Sequence, residues 1–277
     1  MIFRVLFFIV VFIPALIVII PAQAAIIALR LPVWQVLPRL FHRIGCIFLG
    51  LRVTVIGEPA TGRPTLLVSN HISWTDIVAV GSVADVTFVA KREVGEWFFV
   101  GMMARLQKTI FVDRTRRSDA GRTSREMGAH MAGGNAVLLF AEGQSDIGTH
   151  VLPFRSALVG AAQLAMIEAG ASEVLIQPLT IAYTRLQGLP VGRSERSLIA
   201  WIKSRSVGQN IRDILAGPVK QVTVVFGTPR PLHGTDNRKL VTRAAESDVR
   251  AMLVALNRGL PLPTDTSLPS KPNAGFH

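Results

Sequence analysis

The stretch SNHISWTDI, residues 69–77, places His71 and Asp76 five positions apart, directly after an apolar run. Side chains five residues apart on a regular helix are rotated by about 140° and face different directions. If these two side chains act together, the segment between them must therefore bend. The spacing alone leaves open whether that bend is an active site or only a turn.

In the catalytic interpretation, His71 is a general base. Its Nε2 removes a proton from an alcohol, while Asp76 accepts the Nδ1 proton, fixes the tautomer and stabilises the imidazolium. A serine or cysteine nucleophile is not needed if the attacking alcohol belongs to the substrate. In the alternative interpretation, Ser73 is the N-cap of a helix and Asp76 lies near the positive end of the helix dipole.

The composition favours a membrane surface over nucleic acid as the partner. The chain has 277 residues, 49% of them hydrophobic, which is enough for one large domain or two small ones. Its 30 Lys and Arg exceed its 18 Asp and Glu, so the net charge of +12 indicates an anionic partner. A single tyrosine fits base stacking poorly, and a mean hydropathy of +0.41 is high for a soluble nucleic-acid binder. Cys46 is the single cysteine, which excludes an intrachain disulfide and a cysteine-based zinc site.

The N-terminus carries a second membrane signal. The run from Val5 to Leu29 contains no charged residue. As a helix it would be about 38 Å long, enough to cross a hydrocarbon core of roughly 30 Å. Pro14 and Pro21 interrupt the run, so two short helices in one leaflet are the alternative to a single span. The residues Ala22-Gln23-Ala24 also resemble a signal-peptide cleavage site, which would make the protein an exported one.

Basic residues after this run predict its orientation. Four arginines follow it, at positions 30, 39, 43 and 52. By the positive-inside rule that flank is cytoplasmic. We therefore expect the protein at the inner (cytoplasmic) membrane, with the rest of the chain on the cytoplasmic side against an anionic membrane surface.

Alternating strand and helix patterns predict an α/β sheet with helices on its faces. The predicted strands are LRVTVIG and PTLLVSN, followed by residues 86–90, 108–112, 136–140, 174–183 and 221–227. The predicted helices cover residues 76–83, 94–105, 116–132, 156–169 and 236–257, the last with Thr235 or Asp236 as N-cap and Gly259 past its end.

We expect three segments along the chain. Residues 1–45 form a membrane anchor and a linking segment, and residues 46–258 form the main domain. Residues 259–277 are rich in Pro and Ser, which predicts a disordered tail.

Polar residues at the ends of two predicted strands are expected to share one site. His71 follows TLLVS and Glu142 follows AVLLF, and sites in such folds lie at strand carboxyl ends. Gly143 lets the backbone turn closely around a ligand, and Arg155 offers a charge-assisted donor to an anionic group. The alternative is that Glu142 and Gly143 form only a strand-end turn. The segment GQSDI, 143–147, is one residue short of a nucleophile elbow, which argues against a serine hydrolase.

A third cluster, KTIFVDRTRR, covers residues 108–117. Its predicted strand ends in Asp113-Arg114, and further basic residues follow. Arginines in this position suit an anionic head group or a phosphopantetheine carrier. A solvated basic rim is the alternative.

In this order and spacing, the clusters resemble the motifs of the lysophosphatidic acid acyltransferase superfamily of glycerolipid acyltransferases. NHISWTDI is similar to its first motif, N-H-x4-D, and FAEG to its third. The segment KREVGEWFFVGMMARLQKTIFVDR resembles the second motif through Lys91, Glu93, Gly101 and Arg114. VLIQPLTIAY resembles the fourth, with Pro178 after an apolar strand, and the whole match spans residues 40 to 230.

The resemblance implies transfer of an acyl group from acyl carrier protein, or from coenzyme A, to the hydroxyl of a membrane lysolipid. By position, His71 is then the base and Asp76 its orienting partner. The residues implied in acceptor binding are Arg114, Glu142, Gly143 and Arg155. This chemistry requires no metal and no cofactor, since the protein supplies a base, orientation and an oxyanion site. The implied fold is a central mixed α/β sheet with helices on its faces, preceded by an N-terminal membrane-associated helical segment.

The third motif departs from the usual F-P-E-G-T-R-S. Here Gln144, Ser145 and Asp146 stand in place of Thr, Arg and Ser, and Ala141 replaces Pro. The missing arginine is expected to hold the acceptor's phosphate. The segments SNHISWTDI, LPFRSALVGAA and IAYTRLQGLPVGR look more like the lyso-ornithine lipid O-acyltransferase branch, whose acceptor carries an amide-linked amino acid instead of a phosphate. The alternatives are a 1-acyl-glycerol-3-phosphate acyltransferase and a non-catalytic membrane lipid-binding protein.

Overall fold

The computed structural model describes residues 2–113, 119–168, 173–202 and 206–263. Within these ranges the strands are β1 (Leu51–Ile56), β2 (Thr65–Ser69), β3 (Val86–Lys91), β4 (Ile110–Val112), β5 (Ala136–Phe140), β6 (Glu173–Leu186), β7 (Leu189–Pro190), β8 (Lys220–Phe226) and β9 (Arg230–His233). The helices are α1 (Ile2–Phe7), α2 (Ile13–Ala28), α3 (Val36–Leu49), α4 (Thr75–Val83), α5 (Arg92–Glu96), α6 (Phe98–Leu106), α7 (Asp119–Ala132), α8 (Ser156–Glu168), α9 (Arg193–Ile199), α10 (Val207–Ala216) and α11 (Arg238–Arg258). A π-helical turn, Phe8–Phe12, joins α1 to α2.

The strands form one mixed sheet, which confirms the predicted fold class. Its order is β1-β8-β6-β2-β5-β3-β4, and β7 and β9 also pair with β6. Strand β2 runs parallel to both β5 and β6, whereas β6 and β8 are antiparallel. Ser69, the last residue of β2, is level with Phe140 of β5 and with Leu179 of β6. The segments that follow β2 and β5 therefore leave the sheet side by side.

Strand β2 is buried along its whole length because it lies at the centre of the sheet with both faces covered. Leu66 and Val68 belong to an apolar cluster that includes residues of α7, α8 and α11. Leu67 belongs to a second cluster, which includes residues of α3 and α4. A strand buried on both faces is a rigid base for the polar loop that follows it.

The sequence predicted one helix over residues 94–105, and the structure has two. Trp97, between α5 and α6, has an extended backbone with φ −73° and ψ 123°. The break lets the two short helices pack closely, since a Cβ added at Gly101 would overlap the carbonyl group of Gly95. The apolar periodicity of residues 94–105 correctly indicated helix, but a periodicity carries no information about this tertiary contact.

Five elements were not predicted: β7, β9, α3, α9 and α10. The strands β7 and β9 and helix α9 are short, so their periodicity is weak, whereas α3 lies where only a linking segment was expected. The N-cap prediction for the last helix was also wrong. Asn237 caps α11 by accepting from the Lys239 N–H, while Asp236 accepts from the His233 N–H. Gly259 ends α11 with a left-handed φ of 66°, as predicted.

The N-terminal segment is helical from Ile2 to Ala28, and Pro21 lies inside α2 without ending it. Residues Arg4–Ala28 are long and apolar enough to cross a membrane, with a mean hydropathy of 3.1, and little of this helix is buried. Its two ends are nevertheless tied to the rest of the protein. Arg4 donates to the carbonyls of Leu215 and Gly217, and Gln23 donates to those of Trp34 and Leu106. The predicted membrane-associated N-terminal segment is confirmed as an exposed apolar helix.

The predicted segment boundaries at residues 45 and 258 stay predictions. Residues 264–277, most of the predicted disordered tail, lie outside the described part of the chain.

We expect Gly101→Ala to lower the free energy of unfolding by about 1–3 kcal/mol, because the added methyl group meets backbone rather than a movable side chain. Thermal unfolding of the detergent-solubilised protein measures the change. The matched control is Gly121→Ala in α7, where a Cβ would meet nothing within 4 Å. That variant should be neutral or up to about 1 kcal/mol more stable. An unchanged midpoint for Gly101→Ala would contradict the close α5–α6 packing.

Candidate active site

His71 and Asp76 meet because the chain between them bends. The Nδ1 of His71 lies 2.8 Å from Oδ2 of Asp76. The same oxygen accepts the backbone N–H groups of Ile72, at 2.6 Å, and Ser73, at 3.0 Å. The carboxylate thus closes the loop between β2 and α4 and orients the imidazole at the same time.

Ser73 does not cap helix α4, so the capping part of the alternative interpretation was wrong. The helix begins at Thr75 after Trp74, with no side-chain cap bond, and the buried Ser73 hydroxyl has no hydrogen-bond partner in the described residues. The Asp76 side chain turns back onto the preceding loop and accepts the N–H groups of Ile72 and Ser73, which precede the helix. Its position in the first turn also suits the positive end of the helix dipole.

The Asp76 carboxylate is fully buried, and Tyr183 satisfies its second oxygen. The Tyr183 hydroxyl donates to Oδ1 at 2.8 Å and lies 2.5 Å from the Thr75 hydroxyl. Burial, and then the charge of Asp76, raise the pKa of Tyr183 well above its usual value, so it stays a protonated donor. Asp76 therefore receives hydrogen bonds from four donors, which compensates the cost of burying its charge.

The imidazole of His71 is held from a second direction by Phe140. The two rings stack with centroids 4.0 Å apart and planes 20° from parallel. The His71 side chain is 15% exposed and lines a cavity. Because Nδ1 donates to Asp76, Nε2 carries the lone pair of the neutral ring. The arrangement presents a base that can accept a proton at Nε2 and hold the resulting charge against a buried carboxylate.

Glu142 lies beside His71, as expected from the ends of β2 and β5. Its Oε2 accepts from the His71 N–H and its Oε1 from the Leu152 N–H, both at 2.8 Å. Burial raises the pKa of Glu142 to about 8, although the two backbone donors act to lower it. The described contacts of this carboxyl position the backbone of His71, so its predicted contact with an acceptor stays a prediction.

The other predicted site residues lie in different surroundings. Gly143 has a left-handed φ of 74° and lines the cavity together with Gln144 and Ser145. Arg155 has an exposed side chain, and its backbone N–H donates to the Ala141 carbonyl at 2.9 Å. Arg114 lies outside the described residues.

The cavity that His71 lines has a volume of about 720 Å³. Its walls come from α2, α3, β3 and α6, and most of its lining is apolar. Its lining includes Trp97 and Trp201, whose rings meet edge to face with centroids 6.2 Å apart. A volume in the range of about 300–1,000 Å³ is typical of a small-molecule site, and an apolar lining suits a fatty chain.

Sequence reasoning missed several residues that build this site. Tyr183 could have been suspected, since the chain's one tyrosine ends a predicted strand of buried residues. Asn70 exchanges hydrogen bonds with the backbone of Ile181, at 2.9 Å in both directions, and so locks the end of β2 to β6. No sequence signal marked Phe140 as the ring that stacks on His71.

Comparisons with known proteins agree with the geometry. The sequence model of the acyltransferase family matches residues 52–182. A lyso-ornithine lipid O-acyltransferase of Brucella abortus is 42% identical over 82% of this chain and 85% of its own. A lyso-ornithine lipid O-acyltransferase of Rhizobium meliloti is 38% identical over 87% of this chain and 83% of its own. The crystal structure of the 1-acyl-sn-glycerophosphate acyltransferase of Thermotoga maritima shares the fold, with a TM-score of 0.52 at 22% identity over 80% of this chain and 76% of that one.

The raised pKa of Glu142 makes stability depend on pH. Between its ordinary value of 4.5 and about 8, folded Glu142 keeps a proton that the unfolded chain has lost. The free energy of unfolding therefore falls as pH rises through this window. Glu142→Gln removes this contribution, so its unfolding midpoint should fall less between pH 5 and pH 9 than that of the wild type.

The control is Glu126→Gln on helix α7, which removes an exposed carboxylate paired with Arg122. This variant should retain the wild-type pH dependence. Identical pH dependence in Glu142→Gln and the wild type would show that Glu142 is ionised in the folded protein across this range.

Proposed function

The chain belongs to the acyltransferase family, and from that premise we propose that it moves a fatty acyl group from a thioester to the free hydroxyl of a lyso-ornithine lipid. The product would be a two-chain polar lipid of a bacterial membrane. The observation that carries the proposal is the His71–Asp76 pair, with Nδ1 and Oδ2 2.8 Å apart, whose histidine lines a large apolar cavity. The relatives from Brucella and Rhizobium support the choice of acceptor.

In the proposed reaction His71 is the base. Its Nε2 takes the proton of the acceptor hydroxyl while the hydroxyl oxygen attacks the thioester carbonyl. Asp76 holds the Nδ1 proton and stabilises the imidazolium that forms. The tetrahedral intermediate then collapses, the new ester remains, and the departing thiolate takes the proton from Nε2. The attacking alcohol comes from the substrate, so neither a protein nucleophile nor a cofactor is required.

The third motif supports an acceptor without a phosphate. Ser145 occupies the position where the family usually has arginine, and its hydroxyl donates to the backbone carbonyl of Trp201. A serine tied to the backbone in this way supplies no positive charge to a phosphate. We therefore favour the lyso-ornithine lipid over 1-acyl-glycerol 3-phosphate, with Arg114, Glu142, Gly143 and Arg155 as proposed acceptor-binding residues.

We propose acyl carrier protein as the acyl donor, with coenzyme A as the alternative. Both present the acyl group on a phosphopantetheine thioester, so the chemistry at His71 is the same. The net charge of +12 favours an acidic protein carrier. Lys91, an exposed residue that lines the cavity, places one positive charge near the reaction site.

We propose that the N-terminal helix lies along one leaflet of the inner membrane, with the rest of the protein on the cytoplasmic face. Arg4 and Gln23 both bind the main domain, and they lie 19 positions apart on a continuous helical segment, which corresponds to about 28 Å. A helix tied to the domain near both ends is poorly placed to cross to the far side of a bilayer. The segment Trp97–Val100, with Phe98 91% exposed, adds exposed apolar surface beside the cavity.

The test of the proposed chemistry is His71→Ala. We expect the rate of acyl transfer from acyl-carrier-protein thioester to lyso-ornithine lipid to fall by about 10²- to 10⁴-fold, the usual cost of removing a general base. The matched control is His233→Ala, an exposed histidine of β9, which should keep the wild-type rate. Activity that survives in a folded His71→Ala variant would refute the assignment of the base.

The test of the membrane placement uses single labelled cysteines in a Cys46→Ala background. An environment-sensitive fluorophore on Phe98→Cys should shift its emission to the blue when anionic vesicles are added, because the residue enters the acyl-chain region. The control is Leu240→Cys, an exposed apolar position of α11, 61% exposed, where no shift is expected. Equal responses at both positions would rule out a specific membrane contact of residues 97–100.

A further inference from the structure

The Tyr183 hydroxyl is a buried ionisable group that the proposed mechanism does not use. Tyr183 lies towards the end of β6 and is 1% exposed. Thr75, the first residue of α4 and its neighbour in space, is 0% exposed. Neither side chain is accessible to a substrate in the cavity, so any effect that they have on the reaction must pass through Asp76.

The two hydroxyl groups form a chain of hydrogen bonds that ends on the carboxylate. The Tyr183 oxygen lies 2.8 Å from Oδ1 of Asp76 and 2.5 Å from the Thr75 oxygen. A tyrosine hydroxyl has one proton, and that proton goes to the carboxylate, which can only accept. Thr75 must therefore donate to Tyr183. Hydrogen bonds in a chain polarise one another, so the Thr75 proton makes the Tyr183 hydroxyl a stronger donor.

The two oxygens of Asp76 have unequal numbers of donors. Oδ2 accepts from Nδ1 of His71 and from the N–H groups of Ile72 and Ser73. Among the described residues, Oδ1 accepts from the Tyr183 hydroxyl alone. Because Asp76 is 0% exposed, bulk water does not reach Oδ1 to replace this donor. A hydrogen bond to a buried charged group is stronger than one between neutral groups, so Tyr183 contributes much of the stabilisation of this oxygen.

Strand β6 is irregular directly after Tyr183. Its pairing with β8 shifts register between Tyr183 and Arg185. An irregularity of this kind bends the strand and redirects side chains, and such features are common next to active sites. Tyr183 is also the single tyrosine of the chain. A phenylalanine would fill the same buried space, and the hydroxyl is the part that it would lack.

We propose that Tyr183 and Thr75 are positioning residues that keep Asp76 ionised and thereby keep the lone pair of His71 at Nε2. If Oδ1 loses its donor, the cheapest relief for the buried carboxylate is to become neutral. The Nδ1 proton then passes to Oδ2 while one proton from solution adds to Nε2. The ring in that state has no lone pair free to accept a proton from a substrate hydroxyl. The inference rests on the proposed function for the role of Nε2 as the base.

The kinetic test is Tyr183→Phe, which removes the hydroxyl and keeps the ring. We expect kcat for acyl transfer to lyso-ornithine lipid to fall about 10- to 100-fold, with KM for both substrates within about twofold of the wild type, since the residue touches neither. Thr75→Val should lower kcat by about two- to fivefold. The double variant should be no slower than Tyr183→Phe, because Thr75 acts only through the Tyr183 hydroxyl.

The matched control is Thr180→Val, on the same strand. Thr180 is also 0% exposed, and its hydroxyl donates to the Val249 carbonyl at 3.2 Å, on the opposite face of the sheet. This variant loses one buried hydrogen bond, as Thr75→Val does, but it should keep the wild-type kcat. Equal kcat values for the two valine variants, or a wild-type kcat in Tyr183→Phe, would overturn the proposal.

A second measurement determines the tautomer of His71 without any turnover. Nitrogen NMR of protein with isotopically labelled histidine distinguishes a proton on Nδ1 from one on Nε2, and the signal missing in His71→Ala gives the assignment. We expect the proton on Nδ1 in the wild type and a proton on Nε2 in Tyr183→Phe. That difference in a protein that transfers no acyl group would support the positioning role even as the proposed function failed. The wild-type tautomer in folded Tyr183→Phe would overturn the positioning role, and acyl transfer by the wild type would leave the proposed function standing.

Discussion

The buried carboxylate of Asp76 is the interaction on which the site depends. A charge with no exposure to water is tolerated only when donors surround it, and Asp76 receives four: His71 Nδ1, two backbone N–H groups and the Tyr183 hydroxyl. Those bonds fix the bend between β2 and α4 and fix the imidazole in one orientation. The same carboxylate thus holds the loop together and, in the proposed mechanism, stabilises the charge that forms on the base.

The sheet register places the supporting groups around this carboxylate. Because β2 and β5 are parallel and end at the same level, Glu142 reaches the backbone of His71 and Phe140 reaches its ring. Strand β6 flanks β2 on its other side. Asn70 can therefore bind the backbone of Ile181, and the Tyr183 hydroxyl can donate to Asp76. Three strands therefore hold one imidazole, which is the preorganisation that a base requires.

The sequence contained enough to predict every strand except the short β7 and β9, and to predict that the first and third motifs lie side by side. Apolar runs such as AVLLF coincide with β5, and carboxyl ends of parallel strands share an edge, so His71 and Glu142 were expected together. The contacts that could not be predicted join residues far apart in the chain. Tyr183 lies 107 positions after Asp76, and Gln23 lies 83 before Leu106. The local sequence pattern also gave wrong predictions at two residues. Ser73 was expected to cap a helix and Trp97 to lie inside one, and tertiary contacts override these helix signals.

The cavity and the N-terminal helix connect this chemistry to a membrane. Helix α2 forms one wall of the cavity while much of its surface is exposed and apolar, so in the proposed membrane placement it faces both a fatty chain in the cavity and the lipid around the protein. The central claim is that the His71 base acts on a lysolipid without a phosphate. The most direct measurement supplies labelled acyl-carrier-protein thioester to the protein in vesicles that contain equal amounts of lyso-ornithine lipid and 1-acyl-glycerol 3-phosphate. The account predicts label in ornithine lipid and none above background in phosphatidic acid, and label in phosphatidic acid alone would contradict it.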